Sequence, residues 1–188
     1  MNDKLEAYVT GKQEGYFNVR LDYSILDEDQ QCRAFFMTGY QSGKAQRLKE
    51  SKSEQPVDKK KFEKARKAYI TVMGYKASFE NYTVDSALLK GDDQEAFDSG
   101  YQIGLLCKLG KIFEIKGEDL ETYMMIAGYE INEESFRVYL DMLKARKASM
   151  FHTGYEVRKK CEDIRKSSIA ELNNKHSELM INNIKKMS

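Results

Sequence analysis

The sequence predicts a mostly all-α protein, an irregular, repeat-like bundle of helical hairpins with one short N-terminal β-strand as the exception. Its composition is the first reason. The 188 residues include one proline and no tryptophan and are rich in Lys, Glu, Leu, Met and Ala, and proline alone costs about 3 kcal/mol inside a helix. The second is a recurring phrase, in which a mostly apolar residue is followed by two more residues and then Gly-Tyr. It appears at Phe36–Tyr40, Thr71–Tyr75, Phe97–Tyr101, Met125–Tyr129 and Phe151–Tyr155, with Gly15-Tyr16 as a decayed sixth copy. The steps between the five glycines are 35, 26, 28 and 26 residues, the period of stacked helical units.

Each element has a local justification. Residues 16–25 set Phe17, Val19, Leu21, Tyr23 and Ile25 in alternation with mostly polar neighbours, which predicts a strand. A lone strand leaves its edges unpaired, so the same residues read as helix if no pairing edge is supplied. Asp27-Glu28-Asp29 suits the positive end of a helix dipole, and that helix runs to about Lys49. Residues 50–57, which contain the sole proline, Pro56, predict a loop or hinge. A second helix follows from Asp58, with Phe62, Tyr69 and Val72 or Met73 on one stripe and Lys60, Lys64 and Lys67 on another. Asn81 to Gly91 is a connection with a short element at Ala87-Leu88-Leu89. Asp92-Asp93-Gln94-Glu95 has capping-box spacing and starts a helix through Phe97, Tyr101, Leu105, Leu109 and Ile112, which Gly117 ends. Glu118 to Tyr129 forms a shorter helix, and Asn132 caps the next. Residues 156–185 read as a C-terminal amphipathic helix whose Ile169, Leu172, His176 and Ile184 offer a seam to a partner helix, so a homo-oligomer could form there. The whole chain, 1–188, reads as a single domain.

Glycine inside a helix costs about 0.5–1 kcal/mol relative to alanine, so its repetition needs a cause. Close approach supplies one. The glycines Gly39, Gly74, Gly100, Gly128 and Gly154 would admit a neighbouring helix or ring, flanked by Phe36, Phe97 and Phe151 and by the rings of Tyr40, Tyr75, Tyr101, Tyr129 and Tyr155. The same residues read alternatively as an exposed tyrosine face for recognition, since Tyr gives a large contact area at low entropic cost.

Chemistry is narrowed mainly by elimination. Cys32, Cys107 and Cys161 are far apart and predict reduced thiols in a cytoplasmic protein. No Cys-x-x-Cys or His-x-x-x-His pair nominates a metal site. Two histidines outside any recognisable motif nominate no nucleophile and base, and no phosphate loop or dinucleotide fingerprint is present. No cofactor and no enzymatic activity are therefore expected, and no stretch is apolar enough for a membrane span.

The leading expectation is a non-enzymatic, macromolecule-binding protein, an adaptor or inhibitor whose partner is another protein. The alternative is a nucleic-acid-associated protein using the basic stretches 59–67 and 158–166, with Lys60, Lys64, Lys67, Arg158, Lys159 and Arg165 on phosphates. Near-equal totals of 31 basic and 30 acidic residues weaken that alternative. A third reading is a small-molecule sensor with a pocket between the Gly-Tyr helices.

Overall fold

The computed structural model describes residues 2–21, 30–52, 58–80 and 86–187, with side chains up to Asn174. Seven α-helices lie in these ranges: α1 (Asn2–Phe17), α2 (Gln30–Ser51), α3 (Lys59–Phe79), α4 (Asp92–Lys108), α5 (Glu118–Glu130), α6 (Glu133–Met142) and α7 (Ala145–Met187). A 3-10 turn at Ile112–Glu114 precedes α5, and the described residues contain no strand. The fold is all-α, as expected.

The glycines organise it. A Cβ built on Gly39 would lie 2.1 Å from the carbonyl oxygen of Tyr8, and one on Gly11 would lie 2.1 Å from that of Phe36. The same reciprocal contact joins Gly74 to Phe97 and Gly100 to Thr71, then Gly128 to Phe151 and Gly154 to Met125, at 1.9–2.0 Å. In every case the carbonyl belongs to the residue three before the partner glycine. Among the described residues six helices thus form three pairs, α1/α2, α3/α4 and α5/α7, each closed by two glycines facing each other's backbones. With no Cβ in the way, glycine Cα–H groups point at carbonyl oxygens, a weak hydrogen bond that recurs where helices touch backbone to backbone.

The pairs run parallel, where hairpins had been expected. Gly11 meets Phe36 and Gly15 meets Tyr40; Gly100 meets Thr71 and Gly104 meets Tyr75. Both partners therefore advance together. Polar contacts keep the same order: Lys67 with Asp92 near one end of α3/α4, and Lys108 with the Ser78 carbonyl near the other. Parallel neighbours need a return connection, and α1–α2 and α3–α4 are each joined by 12 residues. A 16-residue helix is about 24 Å long, and 12 extended residues reach about 40 Å. The third connection contains α6.

The true sixth copy of the phrase is centred on Gly11, with Tyr8 before it and Lys12 in the tyrosine position. Gly15 is the second glycine of that copy, matching Gly43 and Gly104. The Gly39 and Gly100 copies also match in their side chains: the Phe36–Tyr40 and Phe97–Tyr101 rings both lie 6.4 Å apart at 23°.

Several local expectations are corrected. Tyr16 and Phe17 end α1, and Asn18, at φ 54°, closes it with Val19 N–H donating to the Glu14 carbonyl and Asn18 N–H to that of Gly15. Phe17, Val19 and Leu21 are buried alternately, but as a strap over the core; Tyr23 and Ile25 lie outside the described residues. Helix α1 itself had not been foreseen. Asp27–Asp29 lie outside the described residues, and Glu50 and Ser51 of the expected hinge belong to α2, whereas 53–57 lie outside. Ala87–Leu89 form only a turn, closed by Leu89 N–H on the Ser86 carbonyl. Gly91 caps α4 in place of a capping box, and Asp92 and Asp93 instead pair with Lys67 and Arg66. Gly110, at φ 70°, ends α4, and Gly117 starts α5. Asp58 and Asn132 cap α3 and α6 through their side chains.

The main core joins Phe17, Val19, Leu21, Tyr69, Ile70, Phe97, Val157 and Ile164 across the pairs. Smaller clusters lie around Ile103, Ile115 and Ile126, and where Phe136 of α6 wedges against Phe151 and Tyr155.

Candidate functional site

The tyrosines of the phrase do not share one face. Tyr75 and Tyr155 are buried, Tyr40 and Tyr129 are half-buried, and Tyr101 is exposed. Phe36, Phe97 and Phe151 are buried, and all five sequence-predicted glycines are spent on helix pairing. Lys12, in the sixth tyrosine position, is 1% exposed; its ammonium donates to Glu171 at 2.5 Å and to Ser167 at 3.2 Å. Tyr8 donates to the other Glu171 oxygen at 2.8 Å, and so α7 is tied to α1.

Part of each basic stretch is neutralised within the fold. Lys67 pairs with Asp92, Arg66 with Asp93, Arg158 with Glu162, Lys160 with Glu50 and Arg165 with Glu6. Arg158 also donates through Nη1 to the carbonyls of Glu130 and Ile131, capping the C-terminal end of α5. Lys159 lies over the Tyr155 ring at 5.7 Å, and Lys64 donates to Ser149 at 3.2 Å. Of the six candidate phosphate contacts, Lys60 alone has no such side-chain contact among the described residues.

A cavity of about 400 Å³ opens where α1, α3, α5 and α7 meet. Val9, Tyr69, Met73 and Cys161 form its buried floor, and Glu6, Lys76, Glu130, Arg158, Glu162 and Arg165 ring it with charge. Burial pushes the Cys161 thiol up to about 12, and Cys107 is raised by the same cause. Neither thiol is a ready nucleophile at neutral pH. Partial burial, joined by the charge of Glu80, raises Glu130 against the pull of Lys76 and Arg158. Among the described residues no three His, Cys, Asp or Glu side chains cluster to hold a metal ion.

No family model, curated protein or solved structure matches this chain.

Two apolar clusters stand outside the core. Leu109, Ile112 and Phe113 follow α4, with Phe113 75% exposed, and α6 displays Val138, Tyr139 and Met142 at 62, 54 and 76%. Sequence periodicity concealed the α6 face, because Phe136 and Leu140 form a second, inward stripe on the same ten residues. No helix among the described residues is long and apolar enough to cross a membrane.

Proposed function

We propose that the protein is a non-enzymatic binding module, an adaptor or inhibitor, whose partner is another protein. The observation that carries this reading is the outer face of α6. A short surface helix packed by Phe136 ordinarily turns polar residues outward, yet here Val138, Tyr139 and Met142 face solvent. Aromatic residues and methionine are enriched at interfaces, and Leu109, Ile112 and Phe113 offer a second patch of the same kind. The Gly-Tyr phrases serve as the frame that presents these patches. Internal pairing of Lys67, Arg158, Lys160 and Arg165 leaves the nucleic-acid reading with less support.

The test is affinity purification of tagged protein from its native host, with and without nuclease, in parallel with a V138E/Y139E/M142E variant. The proposal expects a stoichiometric protein that survives nuclease and is lost from the variant. Loss of every partner on nuclease treatment would overturn it in favour of nucleic acid.

A further inference from the structure

We propose that the cavity between α1, α3, α5 and α7 takes a small zwitterion, a free α-amino acid with an apolar side chain. Its carboxylate would sit on Lys76 and its ammonium on Glu130. This site is independent of the apolar patches on α6 and after α4.

The charges on the cavity wall carry the inference. Arg165 gives both terminal nitrogens to the two oxygens of Glu6, and Arg158 is committed to Glu162 and to the end of α5. These four charges close on one another. Lys76 and Glu130 remain, one of each sign, and among the described residues neither side chain has an ion pair or hydrogen bond with another. The Lys76 ammonium rests over the Tyr129 ring at 5.4 Å, which orients it without neutralising it. An anion alone would face the carboxylates of the wall, a cation alone would face Lys76, and a neutral apolar molecule would desolvate both charges while offering neither a hydrogen bond. A zwitterion satisfies both. Below them Val9, Tyr69, Met73 and Cys161 form an apolar floor for a side chain, and a volume of about 400 Å³ falls in the range of small-molecule sites, about 300–1,000 Å³.

The experiment titrates the full-length protein by calorimetry with L-leucine, L-methionine and L-phenylalanine, each beside its amide and its N-acetyl derivative. The amide lacks the carboxylate and the N-acetyl derivative lacks the ammonium. Saturable binding of at least one free amino acid is expected, with both derivatives weaker by about tenfold or more. At about 100 times Kd the bound form should melt roughly 5–10 °C higher. K76M and E130Q, confirmed folded by circular dichroism, should each lose binding to a similar degree, whereas K59Q should not. Absence of saturable binding up to about 10 mM, or derivatives that bind as tightly as the free amino acid, would overturn the proposal, and the wild-type series alone suffices to show either.

Discussion

The α1/α2 pair and the α5/α7 pair use the same glycine contact and then diverge. In α1/α2 the contact is repeated one turn on: Gly15 meets the Tyr40 carbonyl and Gly43 meets that of Lys12. In α5/α7 the positions four residues after Gly128 and Gly154 are Asn132 and Arg158. Helix α5 has ended by then, and the Arg158 side chain fills the space beyond it. The α3/α4 pair is intermediate, with Ser78 facing Gly104. Glycine is thus retained only as far as a second backbone runs alongside, and a long cation takes over where the neighbour stops.

The comparison predicts unequal costs. G39A in α2 forces a Cβ against a backbone carbonyl that the second glycine layer holds in place, and should destabilise by about 2–4 kcal/mol despite alanine's better helix propensity. G154A in α7 meets the Met125 carbonyl in a pair that has no second glycine layer to hold it in place, and should cost about 1–2 kcal/mol. Urea denaturation of both variants decides the point, and equal losses would break the comparison. R158A should cost about 1–3 kcal/mol by stripping the end of α5. R158K should recover little of it, because an ammonium cannot copy the guanidinium fork. R158G should not mimic the α1/α2 pair either.

An effect of the same order as that of R158A concerns Lys12, which has no counterpart in α5/α7. E171Q leaves a buried ammonium with Ser167 and a neutral amide. Losing the partner of a fully buried pair costs about 3–5 kcal/mol, but Glu171 is partly exposed, so about 1–3 kcal/mol is expected by thermal melting.

The smallest effect is one of pH. The hydrogen bond from Arg165 holds Glu6 below its ordinary 4.5, and hydrogen bonds from Lys160, Gln46 and Tyr16 outweigh burial to hold Glu50 below it too. A carboxylate lowered by folding stabilises above its unfolded value and loses that contribution as pH falls through the folded one. The tie between α7 and the α1/α2 pair should therefore weaken below pH 4.5, and E50Q should flatten that acid limb by roughly 0.5–1 kcal/mol. Glu130, raised by burial, acts in the opposite sense, and E130Q should cost no stability at neutral pH.

These contrasts also explain what the sequence disclosed. Helix content, the Asn132 cap and the close approach at the glycines were legible, because each depends on a residue type at a local position. Helix α1 was not, since Lys12 and Glu14 occupy buried positions that an apolar stripe would mark, and Lys12 replaces the tyrosine that flags the other copies. The alternation at Phe17, Val19 and Leu21 correctly signalled one-sided burial but could not distinguish a strand from a strap. Asp92 and Asp93 looked like a cap because the chain alone does not show that Arg66 and Lys67 lie opposite. Of the candidate sites, the basic residues were visible and their partners were not. The cavity between four helices left no sequence signal beyond the glycines that bring those helices together.

The parallel course of the pairs has a consequence for how the chain must fold. A hairpin zips from its turn, beginning with residues only a few positions apart. Here every facing glycine contact joins residues 23 to 31 positions apart, so no short loop exists from which a pair could grow. Each pair must close its full loop before the first contact forms, and the remaining contacts then follow at little added entropic cost. Assembly within a pair is accordingly all-or-none, and it runs slower than the helix content of the protein would suggest.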